Sequence, residues 1–354
     1  MDIKFIKREE LQEKPDQKKL GFGKYFADYM FTMDYDEGIG WHDATIRPYG
    51  PIEMNPATVV LHYAQETFEG LKAYRRADGQ IQLFRPEMNA RRMINSNERL
   101  CMATIPEDMF IEAVNALVKA EEDWVPSEPE TSLYIRPFAF ACESSLGVHK
   151  SKAYKFVIIL SPVGAYYAEG LAPVKIMVED EYVRAVQGGT GFTKCGGNYA
   201  GSIIGQVKAE KYGCSQVLWL DGRERKICRR SWCNEHYVQD RWRNLHSSDR
   251  RNSTSWCNQR FYHSYPERLG IQVNETHLSV DDLMQAGRDG RLEEVYGTGT
   301  AAVISPVGAL VYKGEEITIN NFKIGELTQK LYDYLTGIQW GKEEDKYGWT
   351  RLVK

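Results

Sequence analysis

What constrains this chain most is a break in its apolar pattern. Two long series of strand-like and helix-like runs flank a passage near residues 163–175, where Ser161-Pro-Val-Gly-Ala-Tyr-Tyr167 is followed by Ala172-Pro173. Proline has no amide to donate to a ladder and glycine has no side chain to pack, so regular elements do not run through such a stretch. With 354 residues there is enough chain on each side for a core of ordinary size. The expectation is an α+β chain in two parts: residues 1–165 as a small α+β domain, 166–176 as a linker and 177–354 as a larger domain.

Within the first part, Thr58–Tyr63 and Gln80–Phe84 read as strands and Pro106–Trp124 as an amphipathic helix, followed by the apolar series Ser132–Ala141 and Lys155–Leu160. Beyond the break come a strand over Val174–Val178, helical spacing from Asn198 to Tyr212 and a strand over Gln216–Leu220. The tail gives a helix over Val280–Ala286, a strand pair around Val303–Tyr312 and a final helix over Ile324–Leu335. There is no internal repeat.

Charge and cysteines narrow the function classes. With 45 basic and 49 acidic residues the formal net charge is -4, which argues against a partner bound through a phosphate backbone. The first residues, MDIKFIKREELQEKPDQKK, contain no apolar core of signal-peptide length, so a cytoplasmic protein without membrane spans is expected. Seven cysteines without framework spacing imply no disulfides. No His-x-x-x-His pair accompanies them, so no metal is expected.

One segment resists any reading. Between Ile227 and Leu269 there is no Gly, Ala, Met or Lys, while Trp232, Trp242, Trp256, three cysteines and eight arginines crowd in. Neither a period of two nor one of 3.6 fits it, and unstructured loops of that length are uncommon in a compact domain. It is either a long polar insertion or a stretch translated in the wrong frame.

Four sets of residues carry candidate chemistry. Lys194 lies in Gln187-Gly-Gly-Thr-Gly-Phe-Thr-Lys-Cys-Gly-Gly-Asn-Tyr199, where glycines on both sides would admit a ligand close to the backbone, as an amine that forms a Schiff base requires. Taken alone, such a lysine is more often a surface residue in a flexible loop. A phosphate loop fails, since Thr193 precedes the lysine and Cys195 follows it. Tyr296-Gly-Thr-Gly-Thr-Ala-Ala302 offers consecutive amides and two hydroxyls for an anion, or simply a tight turn between strands. No helix pattern follows it, which removes a dinucleotide-binding reading. Arg92 on a helix and Arg136 on a strand have the planar fork suited to phosphate or carboxylate, though most arginines only solvate a surface. Tyr134 and Arg136, two apart on a strand, share a face. Phe22, Tyr63 and Phe68 are by default core aromatics.

Taken together, Phe68-Glu-Gly-Leu-Lys-Ala-Tyr74, Ser132-Leu-Tyr-Ile-Arg-Pro137, Lys194-Cys-Gly-Gly-Asn-Tyr199, Gln216-Val-Leu-Trp-Leu220 and Gly297-Thr-Gly-Thr-Ala301 resemble the branched-chain-amino-acid aminotransferase family. The resemblance covers nearly the whole chain outside 227–266. It implies fold type IV of the pyridoxal-phosphate enzymes, with a small α+β domain, a larger domain with a barrel-like β core, and a homodimer. It implies pyridoxal 5'-phosphate as cofactor, with branched-chain amino acids, glutamate and their 2-oxo acids as substrates. By the same resemblance Lys194 is the Schiff-base lysine and proton shuttle, Arg92 and Thr300 grip the phosphate, and Tyr199 hydrogen-bonds the ring hydroxyl. Ala301 would meet the substrate carboxylate. Phe22, Phe68, Tyr134 and Arg136 would wall the pocket, with Tyr63 and Val148 arriving from the neighbouring subunit. A D-amino-acid aminotransferase or aminodeoxychorismate lyase of the same fold is the alternative, which the Tyr-Ile-Arg-Pro and Phe-Glu-Gly-Leu-Lys runs disfavour.

The chain departs from the family in two places. Mammalian members carry Cys-x-x-Cys after the Gly-Thr-Ala turn, whereas Ala302 and Ser305 stand here. The family also follows its Trp-Leu strand with Glu-Val-Gly-x-Met-Asn, whose glutamate pairs with the pyridine nitrogen, and later with Ile-Leu-Pro-Gly-Val-Thr-Arg. Neither run is present, and Arg230 stands in the glutamate's place, so the chain read literally is a catalytically dead binding protein. A codon reading explains the loss. Ser231-Trp-Cys-Asn-Glu-His236 can be written AGT TGG TGC AAT GAA CAT, and dropping its first base gives Val-Gly-Ala-Met-Asn. Trp256-Cys-Asn-Gln-Arg260, written TGG TGT AAC CAG AGA, gives Gly-Val-Thr-Arg in the same way. Residues 227–266 therefore read as out of frame.

Overall fold

The computed structural model describes residues 1–164, 171–231, 235–240, 243–247, 261, 265–266, 269–300 and 303–354. The chain divides into two compact units, Met1–Ala168 with Thr193–Gly196 and Gly337–Lys354, and Glu169–Phe192 with Gly197–Thr336. The contiguous division expected from the sequence is thus interrupted twice.

The first unit is built on a nine-stranded sheet. Its strands are β1 (Lys4–Phe5), β2 (Tyr29–Asp36), β3 (Gly40–Pro48), β4 (Glu66–Phe68), β5 (Leu71–Arg75), β6 (Ile81–Phe84), β7 (Ser132–Ala141), β8 (Ala153–Val163) and, returning from the far end of the chain, β18 (Thr350–Leu352). The order is β1-β3-β2-β8-β7-β5-β6-β18, with β4 paired to β7. Helices α1 (Val59–Tyr63), α2 (Pro86–Arg99) and α3 (Glu107–Ala120) belong to this unit. Phe110, Val114, Leu117 and Val118 of α3 and Ala90 and Met93 of α2 share one core with Phe31, Leu71, Leu133, Ile135, Ala139, Phe156 and Ile158. The alternation of a strand does the sorting. On β7 the odd-numbered Leu133, Ile135 and Ala139 enter that core, which turns Tyr134 and Arg136 to the opposite face of the sheet. On β4 the Thr67 hydroxyl bonds Asn97 of α2, so Glu66 and Phe68 likewise face away from the helices.

The second unit holds β9 (Val174–Glu179), β10 (Gln216–Leu220), β11 (Cys228–Ser231), β12 (Glu235–Asp240), β13 (Arg243–Ser247), β14 (Val273–Thr276), β15 (Leu292–Gly299), β16 (Val303–Tyr312) and β17 (Glu315–Thr318). These form a mixed sheet in the order β11-β10-β9-β16-β15-β12-β13-β14, with β17 on β16. Among the described residues no pairing joins β11 to β14, so the barrel-like core takes the form of an open path of strands. The helices are α4 (Gly196–Ala200), α5 (Ile203–Lys211), α6 (Val280–Arg288) and α7 (Glu326–Gln339). A side chain at Gly205 would strike the Trp219 ring, so the glycine is what lets α5 lie against β10.

Three expectations change. Thr58–Tyr63 is not a strand: Val59–Tyr63 is a short helix, closed by Ala64 at φ +49°, whose amide donates to the Val60 carbonyl. Its β-branched start carries strand propensity but only Val59 is buried, so tertiary context overrides it. Val303–Tyr312 is one ten-residue strand, paired to β15 and β17 rather than folded on itself. The segment from Ile227 holds strands β11 to β13, with β12 laddered to β15 from Glu235↔Thr298 to Asp240↔Leu292. Backbone pairing asks little of side-chain pattern, which is why no period announced these strands. Among the described residues no helix is long and apolar enough to cross a membrane.

Candidate active site

Lys194 is fixed from both sides by its own main chain. Its amide donates to Ser96 Oγ of α2 at 3.0 Å, and its carbonyl accepts from the Phe68 amide at 2.9 Å. Only 9% of the residue is exposed, and Thr193 and Cys195 beside it are buried. This is not a lysine in a loose surface loop. Its ammonium lies 4.1 Å from the centre of the Phe68 ring.

Arg136 reaches the same ring from β7, its guanidinium carbon 4.8 Å from the centre. Both separations are those of cation–π contacts, which strengthen where water is excluded. Arg136 also donates to the Tyr134 hydroxyl at 2.9 Å, and the Phe22 ring meets Tyr134 edge-on at 5.0 Å. A Cβ at Gly70 would collide with that hydroxyl, so the glycine of Phe-Glu-Gly makes room for it. Lys194, Phe68, Arg136, Tyr134 and Phe22 thus come together as one aromatic, doubly cationic cluster. Tyr63 is not joined to it by any ring contact or hydrogen bond among the described residues; it is 40% exposed at the end of α1, its hydroxyl donating to the Leu146 carbonyl. Val148 is 83% exposed.

The cluster includes a member that the sequence did not reveal. Glu66, two residues before Phe68 on the same face of β4, accepts the Gly196 amide. Burial lifts its carboxyl above the ordinary carboxylate range, against the opposing pull of the Gly196 amide, Arg136 and Lys194.

Arg92 is buried on α2, and two of its nitrogens are committed to Glu69: Nε to Oε1 and Nη2 to Oε2, both at 2.6 Å. Asn89 adds a third donor to the same carboxylate at 2.8 Å. Close by in sequence, Lys72 is buried and its pKa pushed down to about 8 by desolvation.

In the second unit, Tyr199 lies with its ring 5.9 Å from the Arg184 guanidinium. Thr300 follows β15, and its hydroxyl is buried with no hydrogen-bond partner among the described residues. Since buried hydroxyls are nearly always paired, this donor fits an anionic group such as a phosphate. Ala301 lies outside the described residues, as does the side chain of Arg230. Among the described residues no group of three or more His, Cys, Asp or Glu is placed to hold a metal ion.

No protein-family model matches the chain. A Staphylococcus aureus protein named "Probable branched-chain-amino-acid aminotransferase" is 50% identical over 352 residues, 99% of this chain and 98% of the relative. The crystal structure of the Escherichia coli branched-chain amino acid aminotransferase superposes with a TM-score of 0.76 at 22% identity, covering 92% of this chain and 99% of that one. That of the branched-chain amino acid aminotransferase from Thermobaculum terrenum, in its PLP-bound holo form, does so with a TM-score of 0.73 at 18% identity, covering 92% and 98%.

Proposed function

The chain belongs to the branched-chain-amino-acid aminotransferase family, and from that premise we propose that it transfers amino groups between leucine, isoleucine or valine and 2-oxoglutarate, with pyridoxal 5'-phosphate held on Lys194. The observation that carries this reading is the pinning of Lys194, main chain and side chain, at the one place where Phe68, Arg136 and Tyr134 converge. When bound, the cofactor supplies an electron sink at the substrate's Cα. Lys194 carries the covalent attachment and, once its amine is released, moves the proton. Thr300 and Arg92 hold the phosphate, and Tyr199 meets the ring hydroxyl. The aromatic walls, Phe22, Phe68 and Tyr134, take the aliphatic side chain, while Arg136 with Tyr134 takes the second carboxylate of glutamate. Ala301 meets the α-carboxylate. Tyr63 and Val148, exposed on the first unit, reach the pocket of a second copy in a homodimer, which we place in the cytoplasm.

The same reading requires residues 227–266 to be out of frame. Alignment of 352 residues at 99% of this chain and 98% of its relative favours a shifted frame over a forty-residue insertion, since a shifted frame keeps length while replacing side chains. An arginine at position 230 would oppose protonation of the pyridine nitrogen, since a like charge nearby disfavours the charged form. The test expresses the chain as it stands beside a frame-restored version, assays leucine with 2-oxoglutarate, and fixes the cofactor with borohydride. The restored form should be active with the label on Lys194, and the other inactive. Equal activity refutes the frame, and label on another lysine refutes the site.

A further inference from the structure

Two cations converge on the Phe68 ring, and the first unit supplies one carboxylate beside them. Lys194 approaches at 4.1 Å and Arg136 at 4.8 Å, while Glu66, on the same face of the strand, is pinned by the Gly196 amide. The fit is tight: a Cβ at Gly196 would collide with the carboxylate, so only glycine there lets Glu66 lie against the loop that carries Lys194. The rest of β4, Thr67 and Phe68, carries no charge, so the charged groups facing Glu66 are Arg136 from β7 and Lys194 from the loop before α4.

We propose that Glu66 is a specificity group: a carboxylate that balances Arg136 while an apolar substrate fills the pocket, and that takes up a proton when a dicarboxylate substrate brings its own negative charge to Arg136. This rests on the pocket reading given above. The two substrates of the reaction differ by one charge in their side chains. Leucine adds none, so Glu66 stays ionised beside Arg136. Glutamate or 2-oxoglutarate adds a second carboxylate aimed at Arg136, and two carboxylates close together in a half-buried site disfavour each other's ionised form. Glu66 is the one that yields, because burial already lifts its carboxyl above the ordinary range. The proton comes from solvent and returns to it when the dicarboxylate leaves. One pocket can thereby accept both substrate classes without a separate subsite.

The experiment counts protons. Isothermal titration calorimetry of glutarate and of isocaproate, both unreactive, into the cofactor-loaded full-length chain in both frames is run near pH 8 in buffers of different ionisation enthalpy. Glutarate should take up more protons than isocaproate, up to one, as linkage requires of a single coupled group. Glu66→Gln should lose that difference and bind glutarate several-fold more tightly above pH 8. In parallel, the KM for 2-oxoglutarate should rise with pH in the parent, by up to about tenfold per unit for one proton, and stay flat in the variant. Equal uptake for the two ligands in the parent, or uptake that persists in Glu66→Gln, overturns the proposal. Failure of the pocket reading is distinguishable: Arg136→Gln would then leave glutarate affinity unchanged whatever the proton count.

Discussion

The buried pair of Glu69 and Arg92 allows stability and cofactor binding to be separated by mutation. Glu69 is fully buried, Arg92 nearly so, and their two bonds are 2.6 Å long. Truncating one partner strands the other as an unpaired buried charge, which costs about 3–5 kcal/mol, against a total stability of about 5–15 kcal/mol for a typical domain. Arg92→Ala should therefore lower urea stability by that amount, read by tryptophan fluorescence. Glu69→Gln, which keeps the shape and can still accept from Asn89, should cost less than Arg92→Ala. The double variant should cost less than the sum, with a coupling of about 0.5–3 kcal/mol. Cofactor retention is the second axis. If Arg92 also touches the phosphate, Arg92→Ala should weaken it by about 1.5–3 kcal/mol, the range for a charge-assisted hydrogen bond, whereas Glu69→Gln should leave it nearly unchanged. Additive single variants each costing under about 1 kcal/mol would refute the buried-pair argument. Equal cofactor loss in the two single variants would show that Arg92 acts on the cofactor only through the fold.

Two further outcomes follow from the same unit. Glu121 is buried, its carboxyl pushed up to about 8 by burial and by the neighbouring Asp28, against the pull of the Tyr29 amide; a raised acid pKa means the folded state holds the proton longer than the unfolded one, so stability should fall as pH rises from about 4.5 to about 8, and Glu121→Gln should flatten that slope in denaturation curves taken across the range, an unchanged slope counting against it. Gly70→Ala should displace the Tyr134 hydroxyl it abuts and so raise the KM for 2-oxoglutarate more than that for leucine, whereas an unchanged ratio of the two would mean Tyr134 is not held in place by that glycine.

How much of the fold and the site was readable in advance depends on whether the cause was local. The face of β7 was legible: alternation sends Leu133 and Ile135 inward and leaves Tyr134 and Arg136 together, a consequence of strand geometry alone. The importance of Lys194 was legible through the glycines around it, but its immobility was not, because Ser96 and Phe68 hold it across 98 residues of separation in one case and through the end of β4 in the other. Glu66 and Glu69 are not legible in the sequence for the same reason. A glutamate in a strand reads as a solvated edge, and nothing within a few residues of Glu66 reveals that the Gly196 amide, 130 residues on, will bond to it. The Thr58–Tyr63 run failed differently: its composition favours a strand, yet its ends, a bridge from Thr58 to Ser144 and a left-handed Ala64, turn it into one helical turn.

The segment after Ile227 shows where fold and chemistry part company. Every non-proline residue brings one amide and one carbonyl, so β11, β12 and β13 find ladder partners whatever side chains they carry. Burial is more exacting. Across that stretch the aliphatic content is confined to Ile227, Val238, Leu245 and Leu269, and each apolar side chain that is exchanged for a polar one forgoes roughly 1.5–3 kcal/mol of burial. Catalysis is more exacting still, because on the proposed reading a single position decides whether the pyridine ring nitrogen meets a carboxylate or a guanidinium. A shifted frame preserves the first requirement, erodes the second and reverses the third. It follows that the strand order of the second unit is weak evidence that the chain works, and that, on the proposed reading, the test lies with residue 230.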